Sequence, residues 1–256
     1  MATDSGRPGV ASNRNLFSII DYLSAEGEAG VTELADAVGL TKGGVHKHLV
    51  TLEQNEYVIN RNGKYRLSLR FLTIGAEVRS QYDLCNEARA GIRELADKTG
   101  EIITMGLLEH WKVVLAFVRN EQYGVIRASP TGDRLLPHQC AEGKAILAEL
   151  SDSDTEKFLR NYELEKLTLE TISEEEDLRQ EIEQIRRRGY SISSEEQLEG
   201  VNAIAAAVSD PRTDILGAVG IAGPSRRLSK AQLQDAYADK LLKMVDDLKL
   251  KLRYLD

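Results

Sequence analysis

The feature that most constrains the fold is a predicted hairpin that comes directly after three short helical patterns. The dipeptide Asn62-Gly63 separates two strand-like segments, residues 57–61 and 64–69. Asn-Gly accepts two positive φ angles and therefore favours a two-residue type I′ turn. In the second segment apolar residues alternate with polar ones, which predicts one buried face and one cationic face. The apolar residues are Tyr65, Leu67 and Leu69, and the polar ones are Arg66, Ser68 and Arg70.

The helical patterns before the hairpin have the order of a helix-turn-helix. Apolar residues recur at helical spacing within residues 16–23, which predicts the first helix. Thr32 is a candidate N-cap for the second helix, and Gly39 stands where a left-handed residue ends a helix. Thr41 is a candidate N-cap for the third helix, which has an apolar inner side and a basic outer side. Two such helices joined by a tight turn and followed by a hairpin predict a winged helix-turn-helix, a DNA-binding arrangement.

The third helix and the tip of the hairpin form the candidate DNA-binding surface. A helix that enters the major groove needs polar side chains on its exposed N-terminal turns, and its first amides attract phosphate. Cations at the tip of a wing reach the DNA backbone or the minor groove. The candidate DNA-binding residues are Arg14, Thr41, Lys42, Gly43, Gly44, His46, Lys47, Arg61 and Lys64. The alternative interpretation is that the lysines only solvate a surface helix.

The distribution of charge favours DNA contact in this region, although the whole chain is acidic. The 256 residues carry a formal net charge of −8 at pH 7. Residues 41–79, however, contain seven basic and three acidic side chains. The local excess matters more than the total because docking depends on the electrostatic potential at the contacting face.

The rest of the chain predicts an α+β domain joined through a helix. Residues 71–85 have the pattern of a linker helix, and a longer helix from Asn86 to Lys98 ends at Gly100. Strands and helices then mix around a hairpin at residues 109–112, which predicts a mostly antiparallel sheet with helices on its faces. The predicted strands are 102–108, 113–118, 124–128, 203–208 and 216–222, and the predicted helices are 143–150, 174–188 and 230–252. The predicted organisation is a flexible tail at 1–12, the winged helix-turn-helix at 13–70, the linker helix at 71–85 and the α+β domain at 86–256.

No motif in the chain indicates catalysis, a cofactor or a metal. Cys85 and Cys140 form no Cys-x-x-Cys pair, so two free thiols are expected. His110 and His138 lack the partners of a metal site, and Gly143-Lys144 belongs to no phosphate-binding loop. No segment approaches the roughly 20 apolar residues of a membrane span, and no secretory core is present. We therefore expect a cytoplasmic protein that is not an enzyme and holds no cofactor or metal.

Three consecutive arginines at 186–188 are a possible second nucleic-acid patch. They end a predicted helix that begins with three glutamates at 174–176. Acidic residues at the N-terminus and basic residues at the C-terminus of a helix match its dipole. A structural role is therefore the preferred interpretation of these arginines.

Several separated segments resemble one family. They are GVTELADAVGLTKGGVHKHLVTLEQNEYVINRNGKYRLSLRFLTIG, LLPHQCAEGKAILAEL, RRRGYSISSEEQLEGVNAIAAAV and LGAVGIAGPSRRLS. In this order they resemble the IclR family of transcriptional regulators, from about Asn13 to Leu252. The resemblance implies a winged-helix domain, a linker helix and a GAF-like effector-binding domain. It also implies dimers or dimers of dimers on palindromic operators.

The resemblance further implies an effector pocket. Its residues would be Met105, Leu135, Ala141, Glu142, Gly143, Ser193, Ala203, Gly220 and Ala222. The sequence departs from the commoner pattern: Ala203 replaces Cys, Asn202 replaces Arg, Gly220 and Ala222 replace Ser, and Glu142 replaces a small residue. A carboxylate ligand would lose hydroxyl donors and meet a negative charge. We therefore expect a small-molecule effector that is not a simple carboxylate, unless Glu142 points to solvent or only caps its helix.

The expected function is a DNA-binding transcriptional regulator whose operator binding responds to a small-molecule effector. The alternative is an α/β sensory or enzymatic protein whose N-terminal helices serve as an assembly module. Salt-sensitive, sequence-selective binding to DNA distinguishes the first from the second.

Overall fold

The structure is a computed structural model, which describes residues 9–119 and 129–255. The described chain divides into two compact units, one ending at Gln81 and the other beginning at Tyr82. The predicted strand at 124–128 and most of the predicted tail lie outside the described residues. None of the helices in the described ranges has the length and apolar character needed to cross a membrane.

The N-terminal unit is a three-helix arrangement with a small antiparallel sheet and a further helix. Its elements are α1 (Ala11–Glu26), β1 (Ala29–Gly30), α2 (Val31–Val38), α3 (Lys42–Gln54), β2 (Val58–Arg61), β3 (Lys64–Leu67) and α4 (Arg70–Ser80). The strands pair in the order β1-β3-β2. One apolar face of each of α1 to α3 packs into a common core with the hairpin. Buried members of that core include Ile19, Leu23, Leu34, Val45, Leu49, Leu52 and Tyr65.

The turns that were predicted from local sequence have the expected backbone. Gly39 adopts a left-handed conformation with φ of 67° after α2. Asn62 and Gly63 both have positive φ, at 54° and 83°, as a type I′ turn requires. The turn is supported by a hydrogen bond of 3.1 Å from the Gly63 amide to the Asn60 side chain.

Three details of this unit differ from the sequence-based expectation. The first helix begins at Ala11, so the end of the predicted tail is helical. Gly30 is the N-cap of α2 instead of Thr32, and its amide donates to the Glu33 carboxylate at 2.7 Å. Leu69 is 80% exposed, because β3 ends at Leu67 and the chain turns into α4 before another inward position is reached.

The C-terminal unit contains a six-stranded sheet with helices on both faces. Its first elements are α5 (Asp83–Thr99), β4 (Ile102–Glu109), β5 (Lys112–Arg119), β6 (Arg134–Leu135), a 3₁₀ turn (Pro137–Gln139), α6 (Ala141–Glu149) and α7 (Asp152–Asn161). Its later elements are α8 (Glu175–Arg188), β7 (Ser191–Ser194), β8 (Val201–Ser209), β9 (Leu216–Pro224), α9 (Lys230–Gln232), a π-helical turn (Leu233–Tyr237) and α10 (Ala238–Arg253). Every pairing in the order β6-β5-β4-β9-β8-β7 is antiparallel. The predicted α+β class with an antiparallel sheet is therefore confirmed.

The two faces of the sheet pack against different helices. On one face, α5 and α10 cover large apolar residues such as Ile103, Met105 and Ile221. On the other face, α6 packs over small residues of β8 and β9, such as Ala205 and Ala218. Because successive side chains of a strand point to opposite faces, one strand serves both layers. The small residues under α6 allow this helix to approach the sheet closely.

Several boundaries in this unit were set by interactions that the local pattern does not show. The predicted linker helix at 71–85 is divided, because α4 ends at Ser80 and α5 begins at Asp83. The predicted final helix is interrupted by the π-helical turn at Leu233–Tyr237. The sequence did not predict α7 or β7, both of which are short. The predicted helix at 174–188 is present, with Glu174 as its N-cap.

The arginines at the end of α8 have structural partners. Arg186 donates to the Ala148 carbonyl at 3.0 Å and pairs with Asp152 at 2.8 Å. Arg188 pairs with Glu181 at 2.8 Å. These contacts connect α8 to the end of α6 and the start of α7, in agreement with the structural interpretation.

Candidate functional site

The N-terminal half of α3 presents polar side chains outward while its other side holds the core. Thr41 caps the helix, and its hydroxyl accepts a hydrogen bond from the Gly44 amide at 3.1 Å. Lys42, His46 and Lys47 are exposed. The cap fixes where the helix begins, so it also fixes the direction of these three side chains.

The two glycines at the start of α3 have different surroundings. A Cβ on Gly44 would lie 3.2 Å from the Thr41 hydroxyl oxygen, which is tighter than most such contacts. A Cβ on Gly43 would meet nothing within 4 Å. Packing within this unit therefore gives a reason for the glycine at 44 but none for the glycine at 43.

The tip of the hairpin carries two cations opposite each other. Arg61 and Lys64 are register partners across the turn, and both side chains are exposed. Lys64 forms an exposed ion pair of 3.5 Å with Glu28. In the described ranges, Lys42, Lys47 and Arg61 have no ion-pair partner, so these charges are available to an anionic ligand. The predicted Arg14 is exposed on α1 and donates to the Gly9 carbonyl at 3.1 Å.

A cavity lies in the C-terminal unit between the sheet and the N-terminus of α6. Its volume is about 50 Å³. Its floor is one face of the sheet, its side is α6, and the loop at residues 195–200 contributes a wall. The lining residues are Ile102, Thr104, Leu115, Ser129, Glu142, Ser193, Gln197, Leu198, Val201, Ala203 and Ala222.

Glu142 is the acidic group of this cavity, and its side chain is only 3% exposed. The Thr104 hydroxyl donates a very short hydrogen bond to the Glu142 carboxylate. Burial raises the pKa of Glu142, and the hydrogen bonds from Thr104, the Glu142 amide and Cys140 lower it in part. A Cβ on Gly220 would lie 2.4 Å from Glu142 Oε1, so this glycine makes room for the carboxylate. Glu142 therefore does not point to solvent.

The predicted pocket residues divide into those that line the cavity and those that lie behind it. Glu142, Ser193, Ala203 and Ala222 line it, and Gly220 lies under the Glu142 carboxylate. The other four are buried elsewhere. Met105 packs on the opposite face of the sheet, Leu135 lies in β6 at its edge, the Ala141 carbonyl accepts a hydrogen bond from Ser191, and Gly143 packs against Pro137.

The misplacement of Met105 has a simple physical cause. Neighbouring residues of a strand face opposite sides of a sheet, so an error of one position exchanges the layers. Thr104, which the sequence analysis did not select, is the residue of β4 that reaches Glu142. The signal was present, because Ile103, Met105 and Leu107 alternate as large apolar residues and leave Thr104 for the other face.

The sequence analysis also missed the loop that closes the cavity. Gln197 donates to the Ser129 hydroxyl at 2.9 Å across the mouth of the cavity. Glu195 and Gly200 both have positive φ, at 60° and 78°, and the Glu195 carboxylate accepts the Gly200 amide at 2.7 Å. This local bond shapes the loop so that Gln197 and Leu198 line the cavity.

A buried ion pair holds the same loop from behind. Lys144 is 1% exposed, and its ammonium group lies 2.6 Å from the Glu196 carboxylate. It also donates to the Ile192 carbonyl at 2.7 Å. Thr168 and Thr171 donate to the Glu195 and Glu196 carbonyls at 2.8 and 2.6 Å. Lys144 is therefore directed at the base of the loop and away from Glu142.

The two thiols and the histidine next to one of them are packed into the interior. Cys85 and Cys140 are free and buried, and burial raises the pKa of the Cys140 thiol. His138 contacts the Glu165 carbonyl at 3.0 Å through Nε2, and burial lowers its pKa. Within residues 9–119 and 129–255, no group of three or more metal-ligating side chains is present.

The chain matches two family models that together span most of its length. The model described as "Bacterial transcriptional regulator IclR C-terminal" matches residues 76–250, and the IclR helix-turn-helix domain matches residues 14–60. HTH-type transcriptional regulator KdgR of Escherichia coli (strain K12) is 31% identical over 237 residues, which cover 92% of this chain and 90% of that protein. Transcriptional repressor IclR of the same organism is 27% identical over 235 residues, 90% of this chain and 85% of the repressor.

Solved structures show the same fold. A regulator from Rhodococcus sp. RHA1 superimposes with a TM-score of 0.85 at 22% identity, covering 97% of this chain and 100% of the other. The Thermotoga maritima IclR structure gives a TM-score of 0.80 at 23% identity, covering 95% and 99%. The relatives are named as regulators or repressors, which excludes the enzymatic alternative. The chain therefore belongs to the IclR family and is a DNA-binding transcriptional regulator with a C-terminal effector-binding domain.

Proposed function

We propose that this regulator binds a palindromic operator as a homodimer or as a dimer of dimers. The observation that carries the proposal is α4, an 11-residue helix without a single buried residue. Leu69, Leu72 and Val78 are exposed large apolar side chains in or next to it, Leu72 by 70%. A short helix needs packing of an apolar face for stability, and a second copy of the chain supplies such a face. Two-fold symmetry of the protein then calls for two-fold symmetry of the operator.

The DNA contacts that we propose come from α3 and from the hairpin. Lys42 and His46 occupy the exposed N-terminal face of α3, where base edges are read, and Lys47 lies toward its flank, where phosphates are contacted. Gly43 lets the backbone approach the DNA, and Thr41, Gly44 and Arg14 complete the contact surface. As a protein that acts on chromosomal DNA, it would work in the cytoplasm.

The wing tip offers a direct test of the hairpin. Replacing Arg61 and Lys64 together with Ala is expected to weaken operator binding and to lower the log–log salt slope by about 0.9 for each lost phosphate contact. The thermal unfolding transition should stay cooperative, because both side chains are exposed. Binding is measured by mobility shift at several salt concentrations and unfolding by circular dichroism. Loss of a cooperative transition would show that the hairpin tip has a structural role instead.

For the effector, we propose a small molecule that binds the cavity beside Glu142 and is not a simple carboxylate. A homologue of 15% identity and TM-score 0.79 is complexed with 4-hydroxybenzoate, which supports ligand binding in this fold. In the present chain a ligand carboxylate would face the buried Glu142 carboxyl, which is unfavourable. Neutral, sugar-like, aromatic or amine ligands remain.

The size of the cavity adds a constraint. Ligand pockets usually enclose about 300–1,000 Å³, whereas this cavity has about 50 Å³. The effector is therefore very small, or the loop at residues 195–200 moves when it binds. A movement of this loop gives binding a route to change the placement of other elements.

The proposed role of Glu142 is tested with effector-induced release of DNA. A screen of sugars, amines, aromatic compounds and organic acids by thermal shift identifies ligands, because a molecule that binds only the folded state raises its melting temperature. Glu142→Ala is expected to abolish release of DNA by the ligand found. DNA affinity without ligand, measured for both proteins, gives the reference. Equal responses of the two proteins would place Glu142 outside the ligand contacts.

A further inference from the structure

The negative group of the cavity lacks a cationic counterpart. Within the described residues Glu142 has no ion-pair partner, since the nearest lysine on the same helix, Lys144, is engaged by Glu196 and the Ile192 carbonyl. The Thr104 hydroxyl gives Glu142 a hydrogen bond but no charge. A buried carboxylate is stabilised best by a positive charge at hydrogen-bond distance. The cavity thus offers a site for a cation that the protein itself does not fill.

We propose that the effector is a small organic cation, a primary ammonium group on a short carbon skeleton, which binds in the cavity and pairs with Glu142. The inference rests on the proposed function, because it takes this cavity as the effector site. The remaining walls suit such a ligand. Ile102, Leu115 and Ala203 offer apolar contact to carbon atoms, while Ser193 and Gln197 offer hydrogen bonds to a hydroxyl at the other end.

The size of the cavity favours a ligand of few atoms. Its volume of about 50 Å³ corresponds to about two water molecules at roughly 30 Å³ each. A two-carbon amino alcohol is close to this size and has an ammonium group at one end and a hydroxyl at the other. Ethanolamine is therefore the probe, with ethylene glycol and glycolate as neutral and anionic compounds of similar size.

Binding of a cation is also coupled to protonation. Burial raises the pKa of Glu142, and a bound ammonium group lowers it again. The affinity for ethanolamine should therefore increase as the pH rises from about 6 to about 8, where an alkylammonium group stays charged. The other titratable groups near Glu142 are Cys140, Lys144 and Glu196. Burial keeps the Cys140 thiol protonated, and Lys144 remains paired with Glu196.

The experiment is a thermal-shift titration of the full chain at about pH 8 with the three compounds. Ethanolamine is expected to raise the melting temperature saturably, whereas ethylene glycol and glycolate are not. In Glu142→Gln the affinity for ethanolamine should be at least tenfold weaker. Glu149→Gln, an exposed position on the same helix, is the matched control and should respond like the wild type. If Glu142→Gln does not fold, the pH dependence of the wild type decides, and a constant affinity overturns the inference.

The outcomes separate this inference from the proposed function. An equal shift with ethylene glycol that depends on Glu142 overturns the cation and leaves the effector site in place. A shift with glycolate that is unchanged in Glu142→Gln overturns both. If none of the three compounds shifts the melting temperature, the small cation is wrong, while operator binding is assessed independently by mobility shift.

Discussion

Lys144→Ala is expected to lower the free energy of unfolding of the C-terminal unit by about 3–5 kcal/mol, the range found when one partner of a buried ion pair is removed. The substitution leaves the Glu196 carboxyl in a site where burial already raises its pKa. It also leaves the Ile192 carbonyl without the donor that now lies 2.7 Å away. The measurement is denaturant unfolding, with the midpoint and the slope reported separately.

Two further variants make this result specific. Lys157→Ala removes an ammonium group from an exposed pair with Asp154, at 2.6 Å, and should change stability much less, because exposed ion pairs contribute little. Lys144→Met combined with Glu196→Gln removes both charges and should recover much of the loss. If Lys144→Ala and Lys157→Ala have equal effects, the buried pair does not hold the loop at residues 195–200.

Replacement of Lys42 and Lys47 together with Ala is expected to weaken operator binding at least tenfold at about 0.15 M salt and to lower the log–log salt slope by about 1.8. Neither lysine has an ion-pair partner in the described part of the chain, so both charges are available to phosphates. Binding is measured by fluorescence anisotropy over a series of salt concentrations. Lys157→Ala, which changes an exposed lysine of the other unit, should leave the slope unaltered.

The single variants distinguish positioning from sequence reading. Lys47→Ala should weaken binding to all DNA sequences alike, whereas Lys42→Ala and His46→Ala should also change the preference between operators, since a good contact to a base edge discriminates by about 1–3 kcal/mol. An unaltered affinity and slope in both lysine variants would remove α3 from the interface.

The sequence by itself determined the N-terminal unit almost completely, because its signals are local. The left-handed residue Gly39, the Thr41 cap and the Asn62-Gly63 turn each act through backbone conformations within a few residues of the chain. The class of the C-terminal unit followed in the same way from apolar runs separated by turns. The error at Leu69 arose where the strand ended one residue pair early, which no local pattern marks.

Tertiary structure alone decided the effector cavity. Whether Met105 or Thr104 faces it depends on which layer covers each side of the sheet, and both layers are apolar. That Glu142 is buried and Lys144 turned away follows from partners far along the chain: Thr104 is 38 residues from Glu142, and Glu196 is 52 residues from Lys144. Pairings of this kind form only when the strands are assembled, because only then do burial and hydrogen bonding select one direction for each side chain.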